Sequence, residues 1–437
     1  MSSQAEITPL DLPNDKNYTH RAHRFPGKFH PPLIRSLINS NPDVRFVADP
    51  MCGSGTVGVE SVIENKHFFG TDLDPLACLI SRAKSTPVDP SDLKAVSKRI
   101  LADVGKMQDT NGMSDEDVRE LIESNLANTS YVAPYNLFHW FEPNVALCIS
   151  DLLRATNWVL NIESEEMNDA IHMCIASIVR LNSRADPQPV SGLEVTSVRK
   201  EQLENGINFD VLKSFEKSVD RLANGYAEMI KSNQLGDSVI IEGNAKNFFD
   251  LVNEYGPRPD LIITSPPYCN AIDYPRRHRL ENEWLGLYDG EDLNEVRKNR
   301  IEQSRDFFGS HQIRKKTLSE LPPIQHPGVK EVTDLIEYEK KQPRKANMLR
   351  KYFLDAYDWL EGIHESLRDD GRFYMTIGPS TSYGQVIDTP SFIADIAKDV
   401  GFQLNSRHKY KLTNKKMQYD TNGPTIKTES LLEFEKL

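Results

Sequence analysis

The chain has 437 residues, 38% of them hydrophobic, which is enough for one large domain with insertions or for about two or three ordinary domains. A formal net charge of −12 argues against a generic basic nucleic-acid-binding protein, so any nucleic-acid contact must come from local basic patches. The sequence has no apolar run of about 18 residues, and its polar residues 1–17 are not a signal peptide, so we expect a cytoplasmic protein without a membrane span.

The first predicted elements are two strand–helix units. A short apolar strand at residues 45–48 leads through a glycine-rich loop at residues 49–56 into a predicted helix. A second strand at residues 67–71 ends at Asp72, and Pro75 suits the first turn of the helix that follows. This order is typical of the start of a nucleotide-binding α/β domain.

A long helical block follows at residues 87–237. Within it, residues 145–181 carry apolar side chains at three- and four-residue spacing, which predicts helices. The block interrupts the alternation of strands and helices, so we interpret it as an inserted subdomain. Strands resume at residues 238–241 and 260–263.

The last part of the chain begins with a charged segment at residues 289–345. Proline punctuates this segment and its periodicity is weak, so we predict a long basic loop that could act as a mobile lid. The remaining predicted elements alternate between the two types: a helix at 346–367, a strand at 372–377, a helix at 390–399, and strands near 402–412 and 429–435.

Strands that alternate with helices predict an α/β fold with a doubly wound, mostly parallel sheet. We expect three parts: residues 18–86 as the first half of the sheet domain, residues 87–237 as the mostly helical insertion, and residues 238–437 as the second half.

The five cysteines are widely spaced: Cys52, Cys78, Cys148, Cys174 and Cys269. They form no Cys-x-x-Cys pair, so the sequence predicts no thiolate metal site. An odd number of separated cysteines indicates reduced thiols.

The glycine-rich loop predicts a nucleoside-cofactor site. Residues 53–58 match Gly-x-Gly-x-x-Gly, and Asp72 stands at the end of the next strand, where a carboxylate can accept hydrogen bonds from ribose hydroxyls. Such a loop suits a nicotinamide dinucleotide or S-adenosylmethionine. Asp49 favours the second, because a carboxylate can pair with the α-ammonium group that a dinucleotide lacks. Asp74 is the alternative ribose ligand, with Asp72 as a helix cap, and we rank Asp72 first.

Three segments resemble motifs of the amino-group DNA methyltransferases. The sequence Asp-Pro-Met-Cys-Gly-Ser-Gly-Thr at residues 49–56 resembles their cofactor motif, and Thr-Ser-Pro-Pro-Tyr at residues 264–268 resembles their catalytic motif in its cytosine-N4 form. Phe-Pro-Gly-Lys-Phe-His-Pro-Pro at residues 25–32 is similar to the upstream motif that packs against the methionine part of the cofactor. The resemblance covers roughly residues 20–85 and 238–435 and leaves the helical insertion outside.

This resemblance implies a class I S-adenosylmethionine-dependent methyltransferase that modifies cytosine N4 in DNA, in the manner of a restriction–modification system. It implies DNA as a partner and makes a restriction endonuclease a candidate partner. The cofactor residues that follow from the motifs are Lys28, Phe29, Asp49, Pro50, Cys52, Gly53, Gly55, Thr56, Asp72 and Asn244. Asn244 stands where the family usually has an Asp that binds the adenine amino group, and an Asn carbonyl can accept the same hydrogen bond.

The catalytic motif has a chemical rationale. An exocyclic amino nitrogen is a poor nucleophile because its lone pair is delocalised into the ring. The Ser265 hydroxyl and a following backbone carbonyl can accept hydrogen bonds from the amino group and localise that lone pair. Pro266 and Pro267 preset these carbonyls, and Tyr268 offers a flat face for an extruded base. Tyr268 separates Pro267 from Cys269, unlike the Pro-Cys pair of cytosine-C5 enzymes, so we expect Cys269 to be a packing residue.

Basic residues follow directly after this motif. Arg276, Arg277 and Arg279 suit contacts with phosphates, although a solvated charged segment is the alternative. An aromatic cluster at residues 135–141 in the insertion is expected to belong to the core.

Other functions remain open at this point. The same chemistry could act on adenine N6 or on RNA, and the chain could be a catalytically silent nucleic-acid-binding subunit. A nicotinamide dehydrogenase would explain the glycine loop but would leave Ser-Pro-Pro-Tyr without a role. Either residues 87–237 or residues 289–345 would carry target recognition.

Overall fold

The computed structural model describes residues 17–105, 110, 112–188, 192–232, 234–269, 273–288, 290, 293–310, 313–411 and 428–437. Its main sheet is built from β1 (Phe46–Asp49), β2 (His67–Asp72), β3 (Ser238–Glu242), β4 (Leu261–Thr264), β5 (Arg372–Ile377), β8 (Phe402–Lys411) and β9 (Thr428–Lys436). A separate hairpin pairs β6 (Ser380–Ser382) with β7 (Gln385–Ile387).

The strand order in the main sheet is β3-β2-β1-β4-β5-β9-β8. The pairs from β3 to β5 are all parallel, whereas β9 runs antiparallel to both β5 and β8. The prediction of an α/β fold with a mostly parallel sheet is therefore confirmed. Because the parallel strands share one direction, the carboxyl ends of β1 to β4 meet at one edge of the sheet.

Ten helices precede β3 in the described residues: α1 (Pro31–Asn39), α2 (Thr56–Ile63), α3 (Pro75–Ser85), α4 (Pro90–Asp103), α5 (Asp115–Leu126), α6 (Leu137–Trp140), α7 (Pro143–Leu160), α8 (Glu165–Val179), α9 (Ser197–Glu204) and α10 (Val211–Met229). A 3₁₀ helix, Tyr18–Arg21, comes before them. The helices α4 to α10 lie between β2 and β3, so the insertion occupies the crossover between these two neighbouring strands.

The helices after β3 that the structure describes are α11 (Phe248–Tyr255), α12 (Tyr274–Arg277), α13 (Arg279–Trp284), α14 (Leu293–Asp306), α15 (Lys315–Ser319), α16 (Pro327–Asp334), α17 (Pro343–Ser366) and α18 (Thr389–Asp399). A 3₁₀ helix (Ala245–Asn247) precedes α11, and a π-helical turn (Leu335–Glu339) follows α16. No helix within these described ranges is long and apolar enough to cross a membrane.

Alternate residues of the strands face two apolar cores, as the side-chain period of two requires. Val47 packs in a core with α1 and α2, whereas its neighbour Ala48 packs in a core with α11, α17 and α18. A third core joins α2 and α3 to the inserted helices and includes Trp284 of α13. The insertion therefore shares a continuous core with the sheet domain and with the segment after the catalytic motif.

The segment at residues 289–345 differs from the predicted long loop. Its described residues include α14, α15, α16 and the π-helical turn. The sequence analysis did not predict α14 because this helix is largely exposed and charged. The helix buries Val296 and Ser304 rather than the apolar stripe that marks an amphipathic helix.

Candidate active site

An open cavity lies where the carboxyl ends of β1 to β4 meet. Ten of the predicted site residues border it: Lys28, Phe29, Pro50, Cys52, Gly53, Thr56, Asp72, Asn244, Ser265 and Pro267. Of the predicted cofactor and catalytic residues, four lie outside its lining: Asp49, Gly55, Pro266 and Tyr268. The structure thus brings the glycine loop, the end of β2 and the catalytic motif to one cavity.

The glycine loop needs its glycines for two separate reasons. Gly53 and Gly55 have φ angles of +48° and +69°, in the left-handed region that side chains disfavour. A Cβ on Gly55 would also lie 2.8 Å from the Cα of Ser81 in α3, closer than atoms can pack. The loop therefore packs closely against α3. The Gly53 N–H in this loop donates to the Asp72 carboxylate.

Asp72 is one of the carboxylates that line the cavity. Its Oδ2 accepts the Gly53 N–H at 2.8 Å, and its Oδ1 accepts the Asp74 N–H at 2.9 Å. Burial, aided by the nearby charge of Asp74, raises the pKa of Asp72 to about 7. Each oxygen retains a lone pair, so both can accept a further hydrogen bond from a ligand.

Asp74 also borders the cavity, but its carboxylate is already engaged. Its Oδ1 caps α3 by accepting the Leu76 N–H at 3.1 Å and also accepts the Asn282 side chain at 3.2 Å. Its Oδ2 bonds the ring of His278. The geometry therefore supports the ranking of Asp72 over Asp74 as the ligand of a bound nucleoside.

Asp49 lies beneath the cavity, 1% exposed. Its Oδ1 accepts the Met51 N–H at 3.0 Å and the Thr264 hydroxyl at 2.7 Å. Burial raises the pKa of Asp49 to about 7. Its predicted role was to meet a cofactor ammonium group directly. In the structure it links the glycine loop to Thr264, the residue just before Ser265, and its role towards the cofactor stays a prediction.

One part of the catalytic motif lines the cavity, and Tyr268 lies outside the lining. Ser265 and Pro267 line the cavity, and the carbonyl of Pro267 accepts the Tyr352 hydroxyl at 2.9 Å. The Tyr268 hydroxyl donates to Glu429 of β9. A Cβ on Gly378 would lie 3.1 Å from the Tyr268 ring, so the glycine makes room for it.

The other predicted cofactor residues have defined partners. The Lys28 ammonium group donates to the carbonyls of His20 and His23, at 2.9 and 2.7 Å. The Asn244 carbonyl accepts the Lys246 N–H at 3.1 Å and so caps the 3₁₀ helix before α11. The oxygen of an amide side chain can accept two hydrogen bonds, so Asn244 keeps one acceptor position for a ligand.

Several cavity residues escaped the sequence analysis. Phe308 and Trp359 add aromatic surface, and Asp306 adds a carboxylate at the end of α14. Trp359 is 1% exposed, meets Phe308 edge-on with ring centroids 5.6 Å apart, and its indole N–H has no hydrogen-bond partner among the described residues. No local motif marks these residues, because α14 and α17 bring them to the cavity from distant parts of the chain.

Lys84 is a second residue that the sequence did not indicate. Its side chain is fully buried, and its ammonium group donates to the carbonyl of Ser54 in the glycine loop. Burial lowers the pKa of Lys84 well below its usual value. Lys84 therefore tethers the loop from α3, which leaves the loop little freedom to move.

The five cysteines are buried free thiols. Cys269 lies 3.8 Å from the Thr389 hydroxyl in the apolar interior. In the part of the chain that the structure describes, no group of three or more His, Cys, Asp or Glu side chains is arranged to hold a metal ion.

The three arginines predicted to contact nucleic acid have different surroundings. Arg276 is exposed and donates to the Leu193 carbonyl at 3.4 Å. Arg279 is half-buried. Arg277 is 2% exposed and faces Glu281 at 3.9 Å, so the expectation that it contacts phosphate is corrected, because its guanidinium group is turned into the protein.

Comparison with known proteins finds relatives among the Type II methyltransferases. No protein-family model matches the sequence. The chain is 23% identical over 435 residues to the Type II methyltransferase M.MvaI of Kocuria varians, which spans 95% of this chain and 88% of that protein. It is 30% identical over 364 residues to the Type II methyltransferase M.MjaII of Methanocaldococcus jannaschii, which spans 66% of each protein.

Among solved structures, the rRNA methyltransferase aviRa from Streptomyces viridochromogenes matches 94% of this chain and 86% of its own, at 9% identity and a TM-score of 0.33. A score this low supports no argument about the chain.

The strand order and the cavity at the carboxyl edge define a class I methyltransferase fold. The chain is a methyltransferase, and its homologues are Type II methyltransferases. This finding favours the methyltransferase hypothesis over the nicotinamide dehydrogenase.

Proposed function

We propose that the chain transfers a methyl group from S-adenosylmethionine to the N4 amino group of cytosine in DNA, as the modification enzyme of a restriction–modification system. The observation that carries the proposal is the position of Ser265 and Pro267, which line the same cavity as the glycine loop and Asp72. A cofactor site and a loop with acceptors for an amino group thus share one space.

The cavity has the features that S-adenosylmethionine requires. The left-handed glycines let a ligand approach the backbone of the loop, and Asp72 keeps free acceptor positions for the ribose hydroxyls. Trp359 and Phe308 provide apolar surface for an adenine ring, and Asn244 keeps an acceptor for its amino group. When bound, the cofactor supplies a methyl group activated by its sulfonium centre.

The chain's own contribution to the reaction is to hold the target base and to localise the lone pair of its amino nitrogen. The Ser265 hydroxyl and a backbone carbonyl that follows it are the acceptors that we assign to the amino hydrogens. The bond between Thr264 and Asp49 fixes the backbone before Ser265 to the glycine loop, so the two halves of the site keep one relative position. Most of the rate enhancement would come from this positioning.

Cytosine is favoured over adenine by Ser265. A hydroxyl can accept a hydrogen bond from the amino group and also donate one to the neighbouring ring nitrogen, whereas a carboxylate can only accept without a proton. Cytosine N3 is the more basic of the two ring nitrogens, so a group that both donates and accepts suits it. Adenine N6 in DNA and bases in RNA are the alternatives that the experiment must separate.

The test is a methyl-transfer assay with labelled S-adenosylmethionine and mixed DNA and RNA, followed by digestion to nucleosides and mass analysis. N4-methylcytosine in the DNA supports the proposal, whereas N6-methyladenine alone would refute the cytosine assignment. No methylated nucleoside in either polymer would favour a silent subunit. The variant Ser265→Ala is the matched control, because we expect it to lower turnover while S-adenosylhomocysteine binds as in the wild type.

Target recognition remains assigned to residues outside the sheet domain. The insertion at residues 87–237 or the segment at residues 289–345 would select the sequence to be methylated. Exchange of either segment with that of a relative of different specificity should move the methylated site. If neither exchange does so, this assignment fails.

A further inference from the structure

Four arginines from two separate segments meet on one surface. Arg276 and Arg279 belong to α12 and α13, directly after the catalytic motif, and Arg297 and Arg300 belong to α14. The guanidinium Nε atoms of Arg279 and Arg300 both lie 3.7 Å from the same oxygen of Glu283. We call these four residues the arginine cluster.

The insertion completes this surface with aromatic rings. The guanidinium carbon of Arg297 lies 4.6 Å from the centre of the Tyr135 ring, and Tyr135 itself is 49% exposed. The guanidinium carbon of Arg279 lies 5.6 Å from the centre of the Trp140 ring. The Tyr135 N–H also donates to Glu283 at 3.2 Å. Rings of the insertion therefore contact the guanidinium groups of Arg279 and Arg297, and its backbone bonds the carboxylate that pairs with Arg279 and Arg300.

The ion pairs formed among the described residues neutralise only part of the positive charge of the arginine cluster. Among the described residues, the ion pairs within the cluster both go to Glu283, whose side chain is 5% exposed. Arg276 and Arg297 are exposed. Burial is the main reason that the pKa of Arg279 lies below its usual value; Glu283 opposes the shift, and the three other arginines of the cluster add to it. Among the residues that the structure describes, four cations thus share their ion pairs with one carboxylate, in a chain whose net charge is −12.

The cluster is attached to the wall of the cavity. Tyr274, the first residue of α12, lines the cavity and stacks on Phe25 with ring centroids 5.9 Å apart. His278, between the two arginines of α12 and α13, bonds the carboxylate of Asp74 at the start of α3. The position of the arginines is therefore fixed relative to the cofactor site.

We propose that the arginine cluster, with Tyr135, is a phosphate-binding surface that holds the backbone of duplex DNA beside the catalytic motif. The proposal rests on the proposed function and deepens it. Guanidinium groups bind phosphate oxygens through paired N–H donors, and contacts of this kind position a duplex without selecting its sequence. The buried Glu283 orients the arginines from behind, while the outer ones meet the phosphates.

The experiment measures the binding of a fluorescein-labelled duplex of mixed sequence, about 30 base pairs long, at several salt concentrations. The variant is Arg276→Ala with Arg297→Ala, because both side chains are exposed and their removal should leave the fold intact. We expect the dissociation constant to rise by about tenfold or more. The slope of log affinity against log salt should become shallower by about 0.9 for each phosphate that the variant no longer neutralises.

Two further variants make the result specific. Arg99→Ala removes an equally charged residue of α4 that pairs with Glu163 at 2.7 Å, and it should leave duplex binding unchanged. Glu283→Gln removes the negative charge that pairs with Arg279 and Arg300, keeps an oxygen for the Tyr135 N–H, and should tighten duplex binding. A merely structural role for the arginines would not produce this change of opposite sign.

The outcomes separate this proposal from the proposed function. In one outcome, wild-type protein methylates DNA while the double variant binds the duplex with unchanged affinity and salt slope. That result would refute the phosphate-binding surface and leave the proposed enzyme function in place. If the double variant loses affinity for an RNA strand of the same sequence but not for the duplex, the assignment to duplex DNA is overturned. If wild-type protein transfers no methyl group to DNA, the proposed function fails independently.

Discussion

The two sides of the active site are built in different ways. The cofactor side consists of the glycine loop, Asp72 and the first turns of α2 and α3, all within a short stretch of the chain. The target side combines the catalytic motif with Glu429 of β9 and with the arginine cluster, whose members come from α12 to α14.

The two sides of the site also differ in the contacts that keep them rigid. On the cofactor side, the Asp49–Thr264 bond, the Lys84 tether and the close packing of Gly55 on Ser81 fix the backbone itself. On the target side, side-chain contacts such as Tyr268 with Glu429 and Arg297 with Tyr135 define the surface. We therefore expect backbone substitutions to damage the first side severely and side-chain substitutions to change the second gradually.

The largest effect is expected for Gly55→Ala. The new Cβ would lie 2.8 Å from the Cα of Ser81 in a left-handed conformation, so strain and overpacking add to about 2–5 kcal/mol of lost stability. We expect thermal unfolding at lower temperature and no measurable binding of S-adenosylhomocysteine. Gly206→Ala is the matched control, because Gly206 has a φ of +78° but no atom within 4 Å of the new Cβ, and it should cost only about 1 kcal/mol. Equal effects of the two variants would contradict the close packing of the loop.

Asp72→Ala should have the next largest effect. Loss of a half-buried charged acceptor should weaken S-adenosylmethionine binding by about 1.5–3 kcal/mol, measured by titration calorimetry, while duplex DNA binding changes little. Asp89→Ala, at the exposed cap of α4, is the control and should leave the affinity unchanged. Unchanged affinity in Asp72→Ala would reject its assignment as the ribose ligand.

The raised pKa of Asp72 predicts a pH dependence of the same binding step. As the proposed ribose ligand, Asp72 would accept the ribose hydroxyls in its carboxylate form, and burial raises its pKa to about 7, far above the usual 3.8. Lowering the pH through about 7 protonates the group, so cofactor affinity should fall as the pH decreases from about 8 to about 6. Asp49 has a similarly raised pKa, so Asp72→Asn must flatten the profile if Asp72 is responsible. A profile that Asp72→Asn leaves unchanged would assign the dependence elsewhere.

A smaller effect is expected for Tyr268→Ala on the target side. Loss of a stacking surface should weaken the binding of the extruded base and slow turnover by about 1–3 kcal/mol, while S-adenosylhomocysteine affinity stays close to wild type. Steady-state kinetics with varied DNA, combined with cofactor titration, separates the two. A variant that loses cofactor affinity instead would place Tyr268 with the cofactor side of the site.

The sequence predicted the sheet and the cofactor loop because their signals are local. Gly53, Gly55 and Asp72 occupy the backbone positions that the pattern requires. It could not show that Arg277 points inwards while its neighbour Arg276 points outwards, because packing against the insertion decides which face of a short helix is buried. Trp359 likewise reaches the cavity only through the packing of α17.

Among the variants that compare the cofactor side with the target side, Glu429→Gln should have the smallest effect. The Glu429 carboxylate accepts the hydroxyls of both Tyr268 and Tyr410, so it fixes the phenol of the catalytic motif from the antiparallel strand β9. An amide keeps one acceptor and loses the charge, which should cost about 0.5–1.5 kcal/mol in that bond. If Tyr268 meets the target base, this loss should raise the KM for DNA with little change in cofactor affinity.

Tyr268→Phe removes the same bond from the other side, so the double variant should be no worse than Tyr268→Phe alone. Additive losses in the double variant would show that Glu429 acts independently of Tyr268, and the target side would then need another explanation for the position of that ring.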